Sequence, residues 1–226
     1  MLHYPKAVLF DLDGTLIDTA PDLANALNAI LQQHHQAPLP YRQIRPVVSY
    51  GALGLIKLGF DQQPDDPNYP AIRTELLDYY RQHLSQESTL FSGMDEVLGY
   101  LEQTQIPWGV VTNKPGWLTN PLMAELELEQ RAVVIVSGDT CAQPKPHPAS
   151  ILQACRVLHI APEHTWYIGD ADRDIIAGRA AGCATIGAAY GYIHPDEQIA
   201  DWHAEHIIQH PLDILTLLKK QLYSTQ

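Results

Sequence analysis

Two groups of aspartates stand where short apolar runs end. Asp11 and Asp13 follow Ala7-Val8-Leu9-Phe10, and Asp170, Asp172 and Asp174 follow Trp166-Tyr167-Ile168-Gly169. An extended chain sends residues two apart to the same side, so Asp11 and Asp13 can face one cleft while Leu12 turns away. Gly14 then permits a sharp turn. If the chain becomes helical after Gly169, Asp170 and Asp174 share a face. Carboxylates gathered in this way supply the clustered oxygen ligands that magnesium needs. Taken singly, most have a plainer explanation. An Asp after a strand is often a helix N-cap or a turn residue, and Asp174 alone would be a solvated helix residue. That explanation is weakest for Asp11, because an acid directly after a buried apolar run needs a partner. The combination points to a site.

The elements that must position these residues follow from the apolar pattern. Both runs are too short for helices and suit strands buried on both faces. Similar runs recur at Gly109-Val110-Val111-Thr112, Val133-Val134-Ile135-Val136 and Ala184-Thr185-Ile186, with helical stretches at 94–101, 148–158 and 174–181. Strands alternating with helices predict an α/β fold with a doubly wound parallel sheet, in which reactive groups sit at the carboxyl ends of strands near the switch in strand order. From Thr19 to Phe91 the alternation stops and no convincing strand is read. Leu23, Leu27, Ile30 and Leu31 mark one helix there, and Leu76, Leu77, Tyr80 and Leu84 another, separated by a proline-rich loop at 63–70. Residues 18–90 are therefore expected to form an inserted all-helical domain, with 1–17 and 91–226 as the α/β core. The stretches at 17–21 and 90–93 are the expected hinges.

Composition narrows the partners. The chain has 226 residues, 46% of them hydrophobic, enough for a buried core. Fourteen Lys plus Arg against 26 Asp plus Glu give a formal net charge of -12, a poor surface for nucleic acid. A small anionic substrate would have to be met locally, by a metal or a few basic side chains. Cys141, Cys155 and Cys183 form no CxxC pair, so neither a disulfide framework nor a zinc knuckle is suggested. No basic and apolar leader begins the chain, and no apolar run approaches the roughly 18 residues of a membrane span. The expectation is a soluble, cytoplasmic protein, monomer or homodimer, with no membrane partner.

Asp11-Leu12-Asp13-Gly14-Thr15 resembles the first motif of the haloacid dehalogenase-like phosphatases. The second, a Ser or Thr ending a later strand, corresponds to Thr112; the third, a Lys, to Lys145 in Lys145-Pro146-His147-Pro148; the fourth, GDxxxD, to Gly169 through Asp174. All four occur in order, and the resemblance covers nearly the whole chain. It implies a magnesium-dependent phosphomonoesterase in which Asp11 is the nucleophile and Asp13 the general acid and base. It further implies Mg2+ held by Asp11, the backbone carbonyl of Asp13, Asp170 and Asp174, with Thr112, Asn113 and Lys145 at the phosphate. The prolines around His147 are expected to hold the Lys145 segment extended.

A helical insertion at this place resembles the cap of the phosphoglycolate phosphatase branch, and within it Arg45 and Ser49 stand where relatives contact substrate. The stretches from Trp108 to Pro115 and from Tyr190 to Pro195 look more like the related N-acetylmuramic acid 6-phosphate phosphatases of peptidoglycan recycling. Both small-molecule phosphate esters carry a carboxylate, so an Arg45 contact would serve either. A sugar phosphomutase of the same superfamily and a non-catalytic binding protein on the same fold are the alternatives. Two features are set aside: His203, His206 and His210 are not expected to bind metal, and Gly51-Ala52-Leu53-Gly54 lacks the GK[ST] of a P-loop.

Overall fold

The computed structural model describes residues 2–224. Its strands are β1 (Ala7–Phe10), β2 (Ile17–Asp18), β3 (Thr89–Leu90), β4 (Trp108–Val111), β5 (Val134–Val136), β6 (Thr165–Gly169), β7 (Ala184–Ala188) and β8 (His206–Ile208). Six form a parallel sheet of order β5-β4-β1-β6-β7-β8, as the α/β reading requires. Every residue of β1, β4 and β6 is buried, which is why these strands read as unbroken apolar runs rather than alternating ones. The chain leaves β1 for β4 and β5 on one side, then returns to place β6 on the other. The order therefore switches at β1, and the carboxyl ends of β1, β4 and β6 open one crevice.

Between β2 and β3 the chain is helical: α1 (Ala20–Gln33), α2 (Tyr41–Ile44), a 3-10 turn over Arg45–Tyr50, α3 (Gly51–Phe60) and α4 (Tyr69–Gln82). Leu23, Leu27, Ile30 and Leu31 of α1 and Leu76, Leu77 and Tyr80 of α4 are all buried, so the helical period in the sequence marks a real packed face. Their apolar cluster is continuous with the one under the sheet. The remaining helices are α5 (Met94–Gln103), α6 (Gly116–Glu125), α7 (Ala149–Leu158), α8 (Asp172–Ala181) and α9 (Asp213–Ser224). No helix among the described residues is long and apolar enough to cross a membrane.

Several local expectations need correction. The two junctions, read as strandless, pair as an antiparallel ribbon with Ile17 opposite Leu90 and Asp18 opposite Thr89. Two residues a side are too few to leave a periodic signal. Helix α4 begins at Tyr69, because Pro70 occupies its first turn, where a missing amide costs nothing. Val133 lies outside β5 and is exposed. The Lys145 segment is a turn rather than extended, with the His147 amide donating to the Pro144 carbonyl at 3.0 Å, and the Lys145–Pro146 peptide is cis. Helix α8 starts at Asp172, so Asp170 precedes the helix instead of sharing its face with Asp174.

Candidate active site

Asp11 leaves the end of β1 with its amide still in the sheet ladder, bonded to the Ile168 carbonyl at 2.8 Å. Its Oδ1 accepts the Leu12 amide at 2.7 Å and lies 2.8 Å from Lys145 Nζ. Lys145 is buried, and the same Nζ stands 2.7 Å from Asp174 Oδ1 and donates to the Val111 carbonyl and the Tyr167 hydroxyl at 2.9 and 2.8 Å. The ammonium is thus fixed between two carboxylates by the last carbonyl of β4 and a hydroxyl from the middle of β6. Asn113 secures the segment that carries it: its Nδ2 donates to the Lys145 carbonyl and its Oδ1 accepts the Lys145 amide, both at 2.9 Å.

Asp170 follows β6 and accepts the Thr15 hydroxyl at 3.0 Å and the Tyr192 amide at 2.8 Å. Two glycines make this approach possible. A Cβ at Gly14, whose φ is +86°, would fall 2.1 Å from Asp170 Oδ2, and one at Gly191 would fall 2.3 Å from Asp170 Cβ. In the first turn of α8, Asp174 Oδ2 accepts the Ala171 amide at 3.1 Å, so the side chain is both helix cap and site member. One carboxylate oxygen each from Asp11, Asp170 and Asp174 lies within 4.8 Å of the others, and all three residues are buried. Burial, then the Asp11 charge, then that of Asp174 push Asp170 up to about 7, and burial raises Asp174 against the pull of Lys145. Lys145 pairs with Asp11 and Asp174, and the Arg173 guanidinium acts on all three carboxylates, so two cations face three buried acids. The donor set is hard oxygen, which fits a divalent cation such as magnesium.

Asp13 stands apart from that cluster. Its Oδ1 takes the Thr19 hydroxyl at 2.6 Å and Lys114 Nζ at 2.9 Å. Lys114 also donates to the Tyr80 hydroxyl at 2.9 Å, with the ammonium 4.5 Å from the ring centre. Burial works against the Lys114 charge, but Asp13 and then Tyr80 outweigh it and the net shift is upward. Burial pushes Tyr80 up to about 12. Sequence reasoning gave Lys114 no role; its place directly after Thr112-Asn113 was the available signal. Thr112 is buried at the end of β4 and its Oγ1 accepts the Lys114 amide at 3.1 Å.

Asp11, Asp13, Thr112 and Asn113 line a cleft of about 450 Å³ whose other wall is the helical segment. Ser49 lines it too, and its carbonyl and hydroxyl accept Arg173 Nη2 at 2.7 and 3.1 Å. Arg45 does not line the cleft. Its guanidinium donates to the carbonyls of Gly191 and Tyr190 at 2.9 and 3.1 Å and lies 4.9 Å from the centre of the Tyr192 ring. In this structure its hydrogen-bonding edge is turned to the core. Tyr192 joins several parts of the site, since its hydroxyl accepts the Thr19 and Ala20 amides at 2.7 and 2.9 Å and donates to Asp18 at 2.8 Å. Among the described residues the three aspartates are the only such cluster; His203, His206 and His210 form none.

A family model described as haloacid dehalogenase-like hydrolase matches residues 8–188. An N-acetylmuramic acid 6-phosphate phosphatase of Pseudomonas aeruginosa is 40% identical over 217 residues, covering 96% of each chain. A phosphoglycolate phosphatase of Xanthomonas campestris is 38% identical over 210 residues, covering 93% of this chain and 95% of its own. Among solved structures, one described as a predicted phosphoglycolate phosphatase from Haemophilus somnus superposes with a TM-score of 0.84 at 25% identity, covering 96% of this chain and 99% of that one.

Proposed function

The chain belongs to the haloacid dehalogenase-like hydrolases and is a phosphoric monoester hydrolase, and we propose that it is a magnesium-dependent enzyme for N-acetylmuramic acid 6-phosphate. The observation that carries this choice is the cleft. Its 450 Å³ and its apolar side chains, among them Leu23, Leu77 and Tyr69, suit a ligand of sugar size better than a two-carbon ester. A relative with that activity in its name, 40% identical, supports the same reading. Phosphoglycolate is the second reading, favoured by relatives of that name at 38% identity.

In the proposed reaction Asp11 Oδ attacks phosphorus in line, forming an aspartyl-phosphate as the ester P–O bond breaks. Asp13 gives its proton to the departing oxygen, then takes one from the water that attacks the aspartyl-phosphate, which releases phosphate and restores Asp11. Lys114 and Thr19 both hold Asp13 Oδ1, leaving Oδ2 as the oxygen to carry the proton. Asp11, Asp170, Asp174 and the Asp13 carbonyl would hold a magnesium ion, which would supply the positive charge that lets a carboxylate approach a phosphate. Lys145 offsets further charge on Asp11 and the phosphoryl oxygens, while Thr112 and the backbone at Asn113 donate hydrogen bonds to them. Residues 18–90 act as a cap that excludes water on closing, with the β2–β3 ribbon as its pivot.

The test is kcat/KM for both esters in the presence of magnesium. A preference of about tenfold or more for the muramic acid ester is expected; an equal preference for phosphoglycolate would reject the assignment.

A further inference from the structure

The proposed steps leave one cleft-lining cation without a task. Among the described residues, Lys114 is bound to Asp13 and Tyr80, and Arg173 to Ser49. Arg73 also lines the cleft, is exposed, and makes no hydrogen bond or ion pair with any described residue. It sits on α4, where Tyr69, Arg73, Leu77 and Tyr80 follow helical spacing and so present one face to the cleft.

That face measures distance from the reaction centre. At one end, the Tyr80 hydroxyl receives Lys114 Nζ, which in turn holds Asp13. Arg73 lies two turns earlier, about 10 Å along the axis, and helical side chains lean toward the N-terminus, which carries its guanidinium further from Asp13. Leu77 lies between them and offers apolar contact to whatever spans the interval.

We infer that Arg73 is a specificity-determining residue that receives a carboxylate of the substrate held well away from the phosphoryl group. The inference deepens the sugar-phosphate reading and rests on it. A guanidinium with both edges free meets a carboxylate through two parallel hydrogen bonds. In N-acetylmuramic acid 6-phosphate the lactyl ether on C3 carries its carboxylate away from the phosphorylated arm on C5, a span of the order of the interval between Arg73 and Tyr80. In phosphoglycolate one carbon separates the carboxylate from the ester oxygen, too short a span.

The experiment compares N-acetylmuramic acid 6-phosphate with N-acetylglucosamine 6-phosphate, which lacks only the lactyl ether, in wild type, Arg73→Gln and Arg73→Lys. In wild type the acid-bearing ester should be preferred. In Arg73→Gln the ratio of kcat/KM between the two esters should fall about 10- to 100-fold, mainly through KM, with partial recovery in Arg73→Lys. A wild-type preference that survives in Arg73→Gln overturns the role of Arg73 and leaves the sugar-phosphate reading standing. No wild-type preference for the acid-bearing ester overturns both.

Discussion

Replacing Asp170 by Asn should stabilise the metal-free protein while abolishing turnover. Burial, Asp11 and then Asp174 raise the Asp170 carboxyl from an ordinary 3.8 to about 7. Because the folded value lies above the unfolded one, the penalty is absent below the unfolded value. It accumulates as pH rises from there to about 7, where the folded state must give up its proton too. Three units at about 1.4 kcal/mol each set a ceiling of roughly 4 kcal/mol at alkaline pH. An Asn in this place can set its amide oxygen where Asp170 Oδ2 accepts the Tyr192 amide and offer Nδ2 to the Thr15 hydroxyl, at a cost of about 1 kcal/mol from the weaker bonds. The net gain is about 2–3 kcal/mol, which raises Tm by roughly 4–12 °C in a chain of this size. The assay is calorimetric melting of both proteins in chelator at about pH 5 and about pH 8, bracketing most of the titration. The variant should lead clearly at the higher pH and little at the lower. Excess magnesium should then raise Tm in wild type and not in the variant, since only wild type gains a bound ion on folding. A variant that melts below wild type in chelator at the higher pH would refute the argument, as would a gap indifferent to pH.

Two further outcomes follow from single contacts. Asp11→Asn should lower kcat by at least roughly three orders of magnitude, because the nucleophile is gone while Lys145 keeps Asp174 as a partner; phosphate release from the ester measures it, and near-normal turnover would sink the mechanism. Tyr192→Phe removes an oxygen that meets the Thr19 and Ala20 amides and Asp18, so denaturant unfolding should show a loss of about 1–3 kcal/mol; a loss within error of zero would mean that these groups find other partners.

The parts of the site that were legible in the sequence are those whose geometry is local. An acid after a buried apolar run, a glycine to turn the chain, and a second acid-rich segment after another such run are all short-range patterns, and Asp11, Asp170 and Asp174 do converge. The sheet class was legible for the same reason, since burial on both faces leaves unbroken apolar strands. What depended on tertiary structure was everything joined across long separations. Strand order, with β1 between β4 and β6, comes from how crossovers pack and has no local signal. Lys114 meets Asp13 101 residues away in sequence, and Tyr192 meets Thr19 at a separation of 173. Two arginines of the helical segment between β2 and β3 make the point most directly. Both Arg45 and Arg73 sit in helical segments, and nothing in their sequence neighbourhood tells which faces the cleft. The fold turns Arg45 onto the carbonyls of Gly191 and Tyr190 and leaves Arg73 open to the cleft, because only packing decides the direction of a helix face.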